Sequence, residues 1–441
     1  MTQKNPRGIM KLFRNHIPTR EGFLVNRHSK KCHYIITHEG VFVIYKYSRD
    51  MKKSQEVKTN IIEFGNKKFL VEPTTGELLE ILSDKTKNGK VRPWREHKIE
   101  NQTVEECYRR IADGSSERDY WEKRADRLHD CGVHLWFNVY SDGNGGETMK
   151  IKHAESCRVR LCPLCTWRRS IKIQTHTHKI LEAMQKEKEY AYILVTLTVP
   201  NVTADKLSDK ITDMMKSWDR FQHYKVFGKA VKGWYRGLEV THNVEKYRFK
   251  WVKDRKTGKK RKVYIVDDNG NRLPNPSYDT YHPHFHCIMA VEPSYFKHSD
   301  YISHEKWLEM WQKATKDPTI TQVDVRRVKP KKPDKTGVSF ADMIMSAVCE
   351  VAKYTVKSSD YILPWDWDMS CKSVEVLDKA LANRRLVAYG GVMKDWHKKL
   401  NLDDEIDGDL IEDGETPNGE VIREVCAFWN VGYQQYVIVE G

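Results

Sequence analysis

Within residues 282–291, histidine and apolar side chains alternate over the first six positions, which is the pattern of a β-strand with two different faces. The stretch reads HPHFHCIMAV, and a period of two places His282, His284 and His286 on one face. The sequence therefore predicts a strand with an imidazole-rich face. The opposite face is apolar and is expected to pack against the core: Phe285, Cys287, Met289 and Val291.

Strands and helices alternate irregularly through the middle of the chain. AYILVTLTVP (191–200) predicts a strand that ends at Pro200, and YRGLEVTHN (235–243) predicts a second strand. A helical pattern follows the first strand, and a polar excursion that resembles a hairpin follows the second. The irregular alternation and the hairpin-like connection favour an α+β fold with an antiparallel sheet over a doubly wound fold.

A later segment, SFADMIMSAVCEVAKYTVK (339–357), has the period of an amphipathic helix. At roughly 100° per residue, Glu350, Tyr354 and Lys357 fall together opposite the apolar stripe. A phenol, a carboxylate and an ammonium group on one face suit a nucleophile, a proton acceptor and a group that holds phosphate charge. An ordinary helix with a solvated face is the alternative interpretation.

Three cysteines lie within nine residues, in the stretch CRVRLCPLC. The CPLC spacing of Cys162 and Cys165, with Cys157 nearby, suits tetrahedral zinc. A closed structural site needs a fourth ligand, for which Cys131 is the first candidate and His153 the second. A redox CxxC pair, or cysteines packed singly, is disfavoured by the third cysteine and by an expected reducing compartment.

The histidine face predicts a second metal site. His284 and His286 can bind one divalent ion, and a third ligand would be Glu239 from the neighbouring strand or His282. Two imidazoles and a carboxylate leave coordination positions open for a substrate oxygen. The alternative is a set of histidines that are merely exposed on a polar sheet face.

The charge of the chain indicates its partner. Lys and Arg exceed Asp and Glu by 15 in 441 residues, which favours a polyanion such as nucleic acid. Basic residues cluster beside the cysteines, at Arg168 and Arg169, and between Lys246 and Lys262. No apolar run reaches the roughly 20 residues of a membrane span, and the first residues do not resemble a signal peptide. We therefore expect a cytoplasmic protein with no membrane partner.

Changes in composition divide the chain into four predicted regions. Residues 1–120 have no motif that indicates a role, and residues 121–185 form the predicted zinc-binding lobe. Residues 186–400 contain the strands and helices described above. Residues 401–441 comprise an acidic linker and a C-terminal strand.

Six motifs in this order resemble the rolling-circle plasmid replication initiators of the HUH endonuclease class. They are CPLCTWRRS, LVTLTVPN, HPHFH, EVAKYTVK, RRLVAYGG and FWNVGYQQY. The resemblance covers the chain from about Asp119 to its C-terminus. It implies an antiparallel, sheet-centred HUH core (RRM- or ferredoxin-like) over residues 186–400, with an adjoining zinc-binding lobe.

The resemblance also implies roles for individual residues. His284 and His286 would be the metal pair for Mg²⁺ or Mn²⁺, with Glu239 in the Glu-x-Thr strand of the family. Tyr354 would nick one origin strand, which leaves a 5′-phosphotyrosyl link and a free 3′-OH primer. Glu350 matches the position that activates water when the round of replication ends by hydrolysis.

The expected partner is the plasmid origin, as single-stranded DNA or an extruded hairpin, together with the host helicase and polymerase. Arg168, Arg169, Trp251 and Tyr281 are the predicted DNA-binding residues. A dimer is the candidate oligomer. A relaxase, an HUH transposase and a zinc-ribbon regulator without catalysis are the alternatives, and Tyr361 is the alternative nucleophile.

Overall fold

The structure is a computed structural model that describes most of the chain. It describes residues 61–65, 67–141, 146–254, 257–329, 344–352, 356–402, 410–415, 417 and 419–440, without the side chains of Val351 and Glu440. The chain divides into two compact units, Met1–Asn60 with Asn430–Tyr433, and Ile61–Trp429 with Gln434–Gly441. In residues 1–60 the backbone of two antiparallel strands is described, β1 (Cys32–Ile36) and β2 (Phe42–Lys46).

The remaining strands and the helices alternate along the second unit. The helices are α1 (Trp94–Gly114), α2 (Arg118–Asp130), α3 (Pro163–Glu187), α4 (Leu207–Gln222), α5 (Lys225–Ala230), α6 (His304–Thr315), α7 (Met345–Val351), α8 (Trp367–Leu381) and α9 (Val392–Lys399). The strands are β3 (Ile61–Phe64), β4 (Lys67–Val71), β5 (Leu78–Ile81), β6 (His134–Ser141), β7 (Glu147–Ala154), β8 (Ala191–Thr198), β9 (Val231–Asn243), β10 (Phe249–Lys253), β11 (Lys260–Tyr264), β12 (Thr280–Val291), β13 (Val323–Arg327), β14 (Val387–Gly391), β15 (Glu420–Asn430) and β16 (Gln435–Glu440).

A five-stranded sheet carries the histidine strand at its centre. Its order is β13-β8-β12-β9-β14, and every neighbouring pair is antiparallel. The prediction of an α+β fold with an antiparallel sheet is confirmed. The HUH assignment of this sheet stays a prediction.

The two faces of β12 differ less than the alternating sequence predicts. The face of Phe285, Cys287, Met289 and Val291 is fully buried, as expected. The other face is polar only at the histidine end, because Ile288 and Ala290 beyond it are also fully buried. Helices α3, α7 and α9 cover that half of the face. The histidines therefore border a second apolar core.

A seven-stranded sheet joins distant parts of the sequence. Its order is β3-β4-β5-β16-β15-β6-β7. The last two strands of the chain, β15 and β16, lie between β5 and β6, so residues from the first and last predicted regions share one sheet. The predicted region boundaries near residues 120, 185 and 400 are not tested by this arrangement and stay predictions.

Helix α7 is shorter than the amphipathic pattern predicts. Within the described residues it runs over Met345–Val351, and Ala352 already leaves helical geometry with φ −90° and ψ 30°. Val356 is buried at 4% exposure, and Lys357 directly after it has extended geometry with φ −77° and ψ 143°. The prediction that Lys357 shares a helix face with Glu350 is therefore wrong. Tyr354 lies outside the described residues.

Candidate metal and catalytic site

Glu239, His284 and His286 form a compact group at one end of the five-stranded sheet. The Oε2 atom of Glu239 lies 2.8 Å from Nε2 of His286 and 3.5 Å from Nε2 of His284. The two Nε2 atoms are 3.1 Å apart. Glu239 and His284 are buried, and the His286 side chain is 17% exposed. Three potential metal ligands therefore converge beside solvent.

The sheet register brings these three residues together. His284 of β12 lies directly opposite Glu239 of β9, and opposite residues in an antiparallel pair point to the same face. His286 is two residues further along, so it shares that face. Thr196 Oγ1 lies 3.2 Å from His286 Nδ1, and the His282 carbonyl lies 3.1 Å from His284 Nδ1. These contacts hold the imidazoles with their Nε2 atoms toward Glu239.

Thr196 is a residue that the sequence interpretation missed. Its signal was available, because the alternation of VTLTVP places Thr196 and Thr198 on one face of a strand predicted to lie in the same sheet. What the sequence lacked was the register that sets Thr196 opposite His286.

Charge around Glu239 favours its ionised form. Burial raises the pKa of Glu239, but hydrogen bonds and charge from His284 and His286 outweigh this, so the net pKa lies below its ordinary value. Lys357 Nζ lies 3.2 Å from Glu239 Oε1, the oxygen that the histidines leave free. The group therefore presents a carboxylate together with a cation.

His282 lies beside the group but does not join it. Its ring stacks on His284 at a centroid distance of 5.1 Å. Burial and the charge of His284 lower the pKa of His282 to about 4, which keeps it neutral. Of the two candidates for the third ligand, the structure brings Glu239 to the histidine pair.

The four cysteines form a second group. Cys131 Sγ lies 3.6 Å from the sulfurs of Cys162 and Cys165, and Cys157 Sγ lies 3.7 Å from that of Cys165. All four residues are buried, and their ligand atoms all lie within 4.8 Å of one another. His153 instead packs its ring against Trp136 at 5.0 Å. The structure thus places Cys131, not His153, with the other three.

Two buried polar residues of α1 support the cysteine group and were missed from the sequence. Asn101 Nδ2 donates to Cys162 Sγ at 3.3 Å, and Lys98 Nζ donates to the Cys131 carbonyl at 2.6 Å. Backbone N–H groups of Arg158 and Val159 donate to sulfurs at 3.3 and 3.4 Å. No motif in residues 1–120 signals the role of α1, because it depends on how that helix packs.

The two arginines after the cysteines are both buried. Arg168 donates from Nε to the Leu410 carbonyl at 2.8 Å and from Nη2 to the Ile411 carbonyl at 2.6 Å. Its guanidinium is committed to the protein interior, which contradicts the prediction that Arg168 binds DNA.

Arg169 occupies a different position. It is 8% exposed and lines a cleft that also contains Glu239 and His286. Its Nε atom has no hydrogen-bond partner among the described residues. Arg169 therefore shares a cleft with two of the candidate metal ligands.

The predicted aromatic DNA contacts also differ from each other. Tyr281 is fully buried, and its ring stacks on His242 at 4.2 Å with an interplanar angle of 4°. A base cannot stack on a ring that is already covered, so the prediction for Tyr281 is wrong. Trp251 is 60% exposed and remains accessible.

The remaining predicted catalytic residues lie in separate surroundings. Glu350 Oε1 accepts a hydrogen bond from Arg326 Nη2 at 2.7 Å, so its described contact is with Arg326 rather than with Glu239. Tyr361 is 1% exposed and donates its hydroxyl to the Leu161 carbonyl at 2.9 Å. Its burial contradicts Tyr361 as the alternative nucleophile.

Comparisons with known proteins identify the family of the chain. A family described as "Replication protein" matches residues 148–437. A "Protein rep" of Bacillus amyloliquefaciens is 36% identical over 368 residues, which cover 81% of this chain and 97% of the relative. A "Protein rep" of Lactiplantibacillus plantarum is 33% identical over 81% of this chain and 99% of the relative. No solved structure matches the chain.

The chain therefore belongs to the replication protein family. The resemblance to replication initiators inferred from the six motifs is confirmed. A shorter relative, a "Replication protein" of Staphylococcus aureus, is 31% identical over 59% of this chain and 96% of its own length. Among the described residues, no helix is both long and apolar enough to cross a membrane.

Proposed function

We propose that the protein initiates rolling-circle replication by nicking one strand of a plasmid origin with Tyr354. One observation carries the proposal: Lys357, three residues after Tyr354, contacts Glu239 of the Glu239, His284 and His286 group at 3.2 Å. Three residues of chain span at most about 10–11 Å. The described residue Lys357, which follows Tyr354 by three positions, thus lies beside a group of candidate metal ligands.

Glu239, His284 and His286 fit a divalent cation such as Mg²⁺ or Mn²⁺. Neighbouring ligands of an octahedral ion at about 2.1 Å lie about 3 Å apart, and the three donor pairs here are separated by 2.8, 3.1 and 3.5 Å. When bound, such an ion supplies Lewis-acid stabilisation of charge on the scissile phosphate. Two imidazoles and one carboxylate leave positions open for phosphate oxygens.

The nicking step follows from the chemistry of the side chains. The Tyr354 hydroxyl gives up its proton to water and its oxygen attacks phosphorus, the bond from phosphorus to the 3′ oxygen breaks, and the 5′ phosphate stays on the tyrosine. The 3′ oxygen takes up a proton and becomes the primer for host polymerase. A phenol has a pKa of about 10, so Lys357 would stabilise the phenolate and the phosphate charge.

Termination breaks the phosphotyrosyl bond, either by strand transfer or by hydrolysis. Strand transfer returns the phosphate to a 3′ hydroxyl, which conserves the energy of the phosphodiester. Hydrolysis needs a base for water, and Glu350 is the proposed base. Its contact with Arg326 means that this role requires the carboxylate to exchange partners.

The four cysteines fit structural zinc. Tetrahedral ligands at a Zn–S distance of about 2.3 Å lie about 3.8 Å apart. Three of the six sulfur pairs here are separated by 3.6 to 3.7 Å, and all lie within 4.8 Å. A buried site with four thiolates has no open position, so its proposed role is structural. The four-cysteine site would hold the start of α3, the helix that carries Arg169 into the cleft.

Origin DNA is the proposed partner, with host helicase and polymerase acting after the nick. Arg169 supports this proposal from within the cleft and Trp251 from the surface. A zinc-ribbon regulator without catalysis is the competing function. It would leave the convergence of Lys357 and three metal ligands without a role.

The deciding experiment is a covalent-adduct assay. The protein is mixed with supercoiled DNA of its own replicon and Mn²⁺, denatured with detergent, and examined for DNA attached to protein. We expect an adduct with the wild type and none with Tyr354→Phe. Tight DNA binding without an adduct in either protein would favour the regulator, and an adduct with Tyr354→Phe would assign the nucleophile elsewhere.

A further inference from the structure

The segment between β9 and β12 forms a separate two-stranded ribbon of unusual charge. Strands β10 (Phe249–Lys253) and β11 (Lys260–Tyr264) pair antiparallel outside the two larger sheets. From Lys246 to Lys262 the sequence has ten Lys or Arg residues and one acid, Asp254. Such a density of positive charge requires a polyanion or solvent around it.

The register of the ribbon collects its aromatic residues on one side. Residues directly opposite in an antiparallel pair share a face. One face therefore combines three aromatic and three lysine side chains, and we call it the ribbon face: Phe249, Trp251, Lys253, Lys260, Lys262 and Tyr264. The opposite face also carries exposed charge, at Lys250 and Arg261.

Contacts within the ribbon face leave its outer part free to bind. Lys262 Nζ lies 4.7 Å from the centre of the Phe249 ring and also pairs with Glu245. Phe249 packs edge-on against Trp251 at 5.8 Å. Trp251 is nevertheless 60% exposed, and Lys253 and Lys260 at the far end are exposed as well. A large exposed aromatic side chain among cations is typical of an interaction surface.

Backbone hydrogen bonds fix the base of the ribbon. Arg248 N–H donates to the Leu273 carbonyl and Ile265 N–H donates to the Arg248 carbonyl, both at 2.9 Å. The Asn275 side chain donates to the Glu245 carbonyl at 2.8 Å. The chain that returns toward β12 is thus tied to the base of the ribbon.

The ribbon leaves the sheet at the end that holds the metal-ligand group. β9 ends at Asn243, four residues after Glu239, and β12 begins at Thr280, four residues before His284. Four residues of strand cover about 13 Å. DNA bound at Glu239, His284 and His286 would therefore lie near the strand ends that lead into the ribbon.

We propose that the ribbon binds duplex DNA adjoining the nick site by inserting into the major groove. The inference rests on the proposed nicking function and extends it to the paired flank of the origin. The major groove, about 12 Å wide, admits a two-stranded ribbon. Charge on both faces matches a groove with phosphates on either side, whereas a single strand would lie along one face only.

The test compares duplex and single-stranded binding by the full-length protein. The variant Lys253→Ala with Lys260→Ala removes two exposed cations, and the control Lys186→Ala with Lys188→Ala removes two exposed cations from α3 and the residue after it. Binding of labelled origin-flank DNA is measured by fluorescence anisotropy without added divalent metal ions over a range of salt concentrations. Thermal melting checks that each protein is folded.

For the ribbon variant, we expect the slope of log affinity against log salt on duplex DNA to become shallower by about 2, because each lost phosphate contact contributes about 0.9. The control should keep the wild-type slope, and single-stranded binding should change much less. A wild-type slope in the ribbon variant would overturn the inference. An equal decrease of the salt slope on duplex and on single-stranded DNA would overturn the assignment to duplex DNA.

An adduct assay on a single-stranded oligonucleotide with the nick site separates this inference from the proposed function. The ribbon variant should form the adduct at the wild-type level. If the wild type forms no adduct, but its slope of log affinity against log salt on duplex DNA is still steeper than that of the ribbon variant, nicking is refuted and the ribbon assignment stands. If the wild type forms an adduct, but it and the ribbon variant have the same salt slope on duplex DNA, only the ribbon assignment is refuted.

Discussion

Lys357 Nζ and Glu239 Oε1 lie 3.2 Å apart, although 118 residues separate them in the sequence. The contact joins the segment that follows α7 to the central sheet. Because the Lys357 side chain is 46% exposed while Glu239 is 7% exposed, the lysine covers the carboxylate from the solvent side. It is therefore placed to meet a phosphate that approaches the histidines.

Replacing Lys357 with alanine should slow adduct formation by about 10²-fold, the usual cost of removing one group that stabilises transition-state charge. The matched control is Lys372→Ala, since Lys372 is 49% exposed and pairs with Asp279. Quenched-flow adduct formation on a single-stranded oligonucleotide measures the rate. A loss of the same size in both variants would show that Lys357 acts only through general charge.

Glu239→Gln should weaken Mn²⁺ binding by more than the roughly 10–100-fold that loss of an outer-shell partner costs. The amide has no negative charge to offer the ion, while its size is unchanged. Electron paramagnetic resonance of free Mn²⁺ gives the affinity without any DNA. Glu292→Gln, at the far end of β12, is the control. Unchanged Mn²⁺ affinity in Glu239→Gln would remove Glu239 from the ligand set.

Cys131→Ser should abolish stoichiometric zinc, whereas His153→Ala should retain it. The distances place Cys131 among the sulfurs and His153 against Trp136. Zinc per protein is measured by mass spectrometry after exhaustive dialysis, with thermal melting alongside. The reverse pattern, in which His153→Ala loses zinc and Cys131→Ser keeps it, would mean that the ligand set differs from the one proposed.

Without added divalent metal ions, Arg169→Ala should reduce affinity for a single-stranded origin oligonucleotide and make the slope of log affinity against log salt shallower by about 0.7, one phosphate contact. The reason is the unpartnered Nε of Arg169 in the cleft with Glu239 and His286. Lys186→Ala, which changes an exposed cation of the same helix, should keep the wild-type slope.

Because Arg169 is buried, replacing it can disturb the fold, so a second test uses the wild-type protein. Protection of Arg169 from phenylglyoxal by the same oligonucleotide is measured by mass spectrometry. An Arg169 that DNA does not protect, or that never reacts, would remove it from the DNA contacts.

Local pattern was sufficient to place the candidate metal ligands of β12 on one face. Alternation placed His284 and His286 on one face, and the same rule applied to β9 made Glu239 a candidate. The cysteine spacing likewise identified three residues of the second group. In each case the signal lay within a few residues, where side-chain direction follows directly from the backbone period.

The predictions that were wrong concern residues whose surroundings depend on contacts with distant parts of the chain. Arg168 and Tyr281 have the chemistry of DNA contacts, but Leu410, Ile411 and His242 occupy them. Periodicity extended a helix through Lys357, although the chain leaves helical geometry at Ala352. Composition within a short window does not report which surface a distant segment will cover.

The position of β15 and β16 affects how the molecule can be made. These strands separate β5 from β6 in the seven-stranded sheet, and the Tyr436 hydroxyl donates to the Gly132 carbonyl beneath the cysteine lobe at 2.5 Å. The ribosome must therefore synthesise and release residues 420–440 before the two halves of that sheet can join. A nascent or truncated chain that stops before residue 420 would carry the histidine strand without this sheet completed.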